Sequence, residues 1–149
     1  MCALRDCRPI VEVRKSMKRD KPLILVVDDE THILHVVSLK LTRAGYDVIT
    51  AEDGEEALEL ALEELPDVLI TDFQMPIMTG LDLCIQMKQH EDTAHTPALM
   101  LTARGFGLDD DQIRQTNIVD VLSKPFSPRE VLSRVEKLLD IDSGVTTTP

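Results

Sequence analysis

Short apolar runs alternate along this chain with longer stretches in which apolar residues recur at helical spacing. Leu23-Ile24-Leu25-Val26-Val27 is unbroken by polar residues and stops at Asp28-Asp29, after which Ile33, Leu34, Val37 and Leu41 line one face until Gly45. The run fits a strand covered on both faces, and the spacing after it fits an amphipathic helix ended by glycine. The pair then repeats. Asp47-Val48-Ile49-Thr50 predicts a second strand, and after Gly54 a stripe of Ala57, Leu58, Ala61, Leu62 and Leu65 predicts a helix closed by Pro66. Val68-Leu69-Ile70 predicts a third strand ending on Thr71-Asp72, and Gly80 precedes a helix with Leu81, Cys84 and Ile85 turned inward. Pro97 precedes the strand Ala98-Leu99-Met100-Leu101-Thr102, and a weaker helix around Ile113 leads to a last strand, Val119-Asp120-Val121-Leu122. The final helix carries Val131, Leu132, Val135, Leu138 and Leu139. Strands alternating with helices in this way pair in parallel through right-handed crossovers, with helices on both faces of the sheet. The predicted class is α/β, a doubly wound five-stranded parallel sheet.

Parallel strands bring all their carboxyl ends to one edge, where open α/β sheets hold their ligands. At that edge stand Asp28 and Asp29 after the first strand, Asp72 after the third, Thr102 after the fourth and Ser123-Lys124-Pro125 after the fifth. Each alone has an ordinary explanation: a capping Asp29 or Thr102, a turn aspartate, a solvated lysine, a helix-start proline. Together they point to chemistry. Three carboxylates in one crevice repel one another unless a hard divalent cation and a lysine neutralise them, so the set calls for Mg²⁺ or Mn²⁺. A metal, an ammonium and a hydroxyl make a phosphoryl site.

Length and charge narrow the reading further. The chain of 149 residues has room for one domain of common size. No apolar run approaches the roughly 18 residues that span a bilayer, so membrane insertion is not expected. Three cysteines, two of them in an N-terminal stretch without a signal-peptide core, predict no disulfide framework and a reducing, cytoplasmic compartment. Residues 1–20 carry six Lys/Arg against three Asp/Glu and read as a basic, disordered extension, with Met17 as a second candidate start. Residues 21–140 carry ten against twenty-three, a surface that repels phosphate backbones. Direct nucleic acid binding by this domain is therefore not expected. Residues 142–149 read as a flexible tail. His32 and His35, one turn apart with no thiol nearby, read as solvated-face residues, and Met75, Met78, Met87 and Met100 as packing.

The motifs Val26-Val27-Asp28-Asp29-Glu30, Leu69-Ile70-Thr71-Asp72-Phe73-Gln74-Met75-Pro76, Met78-Thr79-Gly80, Leu101-Thr102-Ala103 and Lys124-Pro125-Phe126 resemble the receiver domain of two-component response regulators, single-domain chemotaxis regulators among them. The resemblance runs from about Leu23 to Asp140, and the receiver domain is placed at 21–141. It implies the flavodoxin-like strand order 2-1-3-4-5. It makes Asp72 the acceptor of a phosphoryl group from a sensor histidine kinase or phosphotransfer protein. It makes Asp28, Asp29, Asp72 and the backbone carbonyl of Gln74 the ligands of Mg²⁺, and Lys124 and Thr102 the phosphoryl contacts, Thr102 also reporting the phosphoryl's presence. It further implies a cis peptide at Lys124-Pro125. Phosphorylation would switch a surface that binds a downstream protein partner.

Three departures from the family pattern bear on that switch. Val121 stands where an aromatic ring is usual, Gln115-Thr116-Asn117-Ile118 lacks the small Gly-Ala pair, and Arg104-Gly105-Phe106-Gly107 carries two glycines and an aromatic. Valine has no ring to move, so the signalling change is expected in the loop after Thr102, with Phe106 as its moving side chain, the alternative being an ordinary mobile loop with no switching role. Two rivals from other classes are weaker. An aspartyl-phosphate phosphatase usually carries an acid two residues after its nucleophile, and here that residue is Gln74. A non-phosphorylated scaffold would not need three mutually repelling carboxylates. A linear response and a multistep phosphate relay look alike at this level, as do a stand-alone receiver and an excerpt of a longer protein.

Overall fold

The computed structural model describes residues 21–75, 77–103 and 110–143, with side chains described through 139. Five strands, β1 (Leu23–Val27), β2 (Asp47–Ala51), β3 (Val68–Asp72), β4 (Ala98–Thr102) and β5 (Ile118–Ser123), alternate with five helices. The helices are α1 (Thr31–Arg43), α2 (Gly54–Glu64), α3 (Gly80–Gln89), α4 (Asp110–Arg114) and α5 (Pro128–Ser143). All strand pairs are parallel and the order is β2-β1-β3-β4-β5, as the resemblance implies. β1, β3 and β4 are buried at every position, whereas the edge strands β2 and β5 are only partly covered. Two-sided cover is why the three central strands read as unbroken apolar runs.

The pleat sends alternate strand residues to opposite layers. Ile24, Val26, Val68, Ile70, Leu99 and Leu101 pack under Leu34, Val37 and Leu41 of α1 and Val131, Val135 and Leu138 of α5. Leu25, Val27, Leu69, Ala98 and Met100 face Ala57 and Ala61 of α2 and Leu83, Cys84 and Met87 of α3. Burying each large side chain contributes about 1.5–3 kcal/mol, and together these layers fix the register of the sheet. Leu62, assigned to the inward stripe, is instead 37% exposed, because α2 buries a narrow face of alanines and leaves Leu62 beside it.

Local signals end the helices where the chain must turn. Gly45 follows α1 at φ +104°, a conformation that glycine adopts without a Cβ clash. Leu65, not Pro66, ends α2 in the left-handed region, its N–H donating to the Ala61 carbonyl. Thr79 and Asp82 form a reciprocal capping box at the start of α3. The departure at 116–117 is filled by side-chain bonds. Asn117 Nδ2 donates to the Ala94 carbonyl, Asn117 Oδ1 accepts from Lys88 Nζ at 2.8 Å, and Thr116 Oγ1 donates to the Ile113 carbonyl at 3.0 Å. α5 continues to Ser143, into the stretch read as tail. Residues 1–20, 144–149 and the loop 104–107 with Phe106 lie outside the described residues, so the expectations placed on them are not addressed by the fold.

Candidate functional site: the acidic crevice at the sheet edge

The crevice lies where β1 and β3 end side by side, with Val27 in register with Thr71. Asp28 follows β1, tied by its N–H to the Ala51 carbonyl at 3.2 Å, and is fully buried. Asp72 closes β3 opposite Leu101 and is 5% exposed, while Asp29 is exposed. One carboxylate oxygen from each of the three lies within 4.8 Å of the others. Hard, anionic oxygens gathered this closely suit a small hard divalent cation better than a soft or nitrogen-preferring one.

Lys124 reaches this cluster from the end of β5. Its ammonium stands 3.0 Å from Asp72 Oδ1, 3.5 Å from Asp28 Oδ2 and 3.9 Å from Glu30 Oε1. Its backbone is anchored by the Lys124 N–H, which donates to the Thr102 carbonyl at 2.7 Å. The Lys124-Pro125 peptide is cis, as the resemblance implies. Thr102 is 1% exposed, and its hydroxyl has no hydrogen-bond partner among the described residues. An unpaired buried hydroxyl beside a polar crevice suits a group that arrives later. Gln74 is exposed in the loop after β3. Val121 is half-buried on β5 and packs against the layer that includes Met100 and Ile118.

Burial sets the protonation behaviour here. It pushes the Asp28 carboxyl from 3.8 up to about 6, helped by the charges of Asp72 and Asp29 and opposed by the Glu30 N–H and Lys124. Burial raises Asp72 as well, against the hydrogen bond and charge of Lys124, which lower it. For Lys124 burial works to lower the value, but the bond to Asp72 and the charges of Asp28, Asp72 and Glu30 outweigh it and hold the ammonium above its ordinary range. Lysine therefore stays charged beside acids that resist ionising without further positive charge.

Two residues that support the site, Gly80 and Glu30, stand within the quoted motifs but were given no role at the site by the sequence. At Gly80 a Cβ would run into the Asp72 carbonyl oxygen, so only glycine lets α3 start this close to the strand end, with its N–H on the Phe73 carbonyl at 2.9 Å. Glu30 donates its N–H to Asp28 Oδ1 at 2.9 Å and extends its carboxylate toward Lys124. His32 and His35 are both exposed, as expected of a solvated face, and Met75, Met87 and Met100 are buried packing residues. Cys84 is buried, its thiol pushed up to about 12 by burial, which makes it inert as a nucleophile. Among the described residues no helix is long and apolar enough to cross a membrane.

Residues 24–136 match the model of the family described as "Response regulator receiver domain". The alkaline phosphatase synthesis transcriptional regulatory protein PhoP of Bacillus subtilis is 45% identical over 116 residues, which cover 78% of this chain and 48% of that protein. The DNA-binding dual master transcriptional regulator RpaA of Synechocystis is 41% identical over 118 residues, covering 79% of this chain and 49% of that protein. The chain spans about half the length of the curated relatives it matches. Among solved structures, the chemotaxis response regulator CheY4 of Vibrio cholerae superposes with a TM-score of 0.73 at 35% identity, over 79% of this chain and 98% of that one.

Proposed function

Because this chain belongs to the response regulator receiver family of two-component signalling, we propose that Asp72 is its phosphoacceptor and that phosphorylation switches a protein-binding surface. A carboxylate oxygen of Asp72 attacks the phosphorus of a phosphohistidine on a sensor kinase or phosphotransfer protein. The P–N bond breaks, an acyl phosphate forms, and the departing imidazole takes a proton from solvent. Asp28, Asp29, Asp72 and the Gln74 carbonyl hold Mg²⁺, which supplies the positive charge that three adjacent carboxylates and an incoming phosphoryl group require. The observation that carries this reading is the Lys124 ammonium 3.0 Å from Asp72 Oδ1 inside the acidic cluster. A lysine so placed favours the ionised form of Asp72 against the burial that opposes it, and lies within reach of a phosphoryl oxygen bound there. Thr102 then gives its free hydroxyl to the phosphoryl group and biases an equilibrium between inactive and active surfaces.

The acidic surface of this domain favours a protein partner over direct contact with nucleic acid. Some relatives are transcriptional regulators of twice the matched length, so any nucleic acid contact is assigned to a region outside this domain. Exposure to acetyl phosphate and Mg²⁺ tests the reading: hydroxylamine-sensitive phosphate should appear on the protein and be prevented by a chelator. Failure to incorporate phosphate would favour a receiver-like scaffold instead.

A further inference from the structure

Glu30 occupies the N-cap of α1, a position where a short polar side chain ordinarily satisfies the first helical N–H groups. Its carboxylate makes no such bond. The backbone serves the helix instead, the Glu30 carbonyl accepting from the Ile33 and Leu34 N–H groups at 3.0 and 3.2 Å. The side chain, 60% exposed, turns to the mouth of the crevice, where Oε1 lies 3.9 Å from Lys124 Nζ. Lys124 thus faces three carboxylates, those of Asp72, Asp28 and Glu30. Two of these belong to the cluster that fits a cation. A divalent ion held by Asp28 and Asp72 cancels their pull on the ammonium and repels it. Among the described residues Glu30 is then the one ion-pair partner of Lys124 that lies outside the cluster.

We propose that Glu30 is a positioning residue for Lys124, its carboxylate keeping the ammonium over the crevice mouth once Asp28 and Asp72 are engaged by a cation. The inference rests on the reading of Asp72 as phosphoacceptor and adds to it the group that readies Lys124 for the phosphoryl oxygens. The pair is partly solvated, so the expected effect is modest, about two- to fivefold in rate.

A double-mutant cycle on the full chain tests this, reading the rate at which acetyl phosphate labels Asp72 at saturating Mg²⁺. Glu30→Gln is expected to slow labelling about threefold. Glu30→Asp keeps the charge but stops one methylene short of Lys124, and is expected to slow it similarly. In a Lys124→Ala background Glu30→Gln should change nothing further, which a role confined to folding would not produce. A wild-type rate for either Glu30 variant, or the same loss with and without Lys124, overturns the proposal. Wild-type labelling without this coupling overturns it alone, whereas absence of wild-type labelling overturns the phosphoacceptor reading and the proposal with it.

Discussion

The Lys124 ammonium lies 3.0 Å from Asp72 Oδ1, joining the end of β5 to the end of β3 across the crevice. Through its backbone N–H the same lysine holds the carbonyl of Thr102 at 2.7 Å. The ends of β3, β4 and β5 thus meet at one residue, and at the end of β4 the buried Thr102 hydroxyl has no partner among the described residues.

That hydroxyl costs stability while it stays unpaired. Thr102→Val is expected to raise the stability of the metal-free fold by about 1 kcal/mol, because a methyl of similar size replaces a desolvated donor. The same variant should lose most of the conformational response to beryllofluoride and Mg²⁺. Urea denaturation and amide NMR check the two parts, and a destabilised variant that still responds fully would contradict both.

Metal-free stability should fall as the solution is brought from acid toward neutrality. The Asp28 carboxyl has its value raised from 3.8 to about 6 in the folded chain, so between these values the folded state holds a proton that the unfolded state releases. Stability is highest below the lower value and declines through the upper one, by up to about 3 kcal/mol for a shift of this size. Asp28→Asn should flatten the decline, and saturating Mg²⁺ should offset it by binding the ionised form. Thermal melts across pH 4–7, with and without Mg²⁺, measure this; a metal-free melting temperature that climbs with pH and is untouched by Asp28→Asn would refute it.

Gly80→Ala should destabilise the fold by about 1–3 kcal/mol, since the added methyl meets the Asp72 carbonyl, a backbone atom that moves only with β3. It should also slow phosphorylation by displacing the acceptor. Urea titration with a parallel labelling assay would show both effects, and a variant as stable and as fast as wild type would show that the approach is looser than described.

Much of this was legible in the sequence, and what was not has definite causes. Leu23–Val27 and Val68–Asp72 announced themselves because a strand covered on both faces needs no polar alternation, and Asp28 and Asp72 stood out because each ends such a run. Lys124 follows the partly covered edge strand β5 and stood out only together with the other strand ends. Strand order came from family resemblance, not from periodicity. Gly80 looked like a helix start, since what demands glycine is the carbonyl of a residue in another element. The side chain of Asn117 reaches the loop at Ala94, and no local pattern reports that bond. Leu62 was misplaced because a stripe of alanines lets a neighbouring leucine satisfy the same spacing while lying outside the interface.

Val121 is half-buried on β5 and presents no ring that could exchange positions as Thr102 moves. The larger response to activation is therefore expected in the loop after Thr102. On adding beryllofluoride and Mg²⁺, the amides of residues 103–108 should shift more than those of 119–122, and Phe106→Ala should weaken partner binding while sparing phosphorylation. A spectrum whose greatest changes centre on Val121 would disprove it.

The assignment of Asp72 as acceptor is tested most directly by trapping. Protein treated with acetyl phosphate and Mg²⁺ is reduced with borohydride, which converts an aspartyl phosphate to homoserine, and the modified residue is located by peptide mass spectrometry. The modification should fall at position 72 alone and vanish in Asp72→Asn, with that variant folded as well as wild type because it removes one of three crowded charges. Homoserine at Asp28 or Asp29 instead, or undiminished labelling of Asp72→Asn, would contradict it.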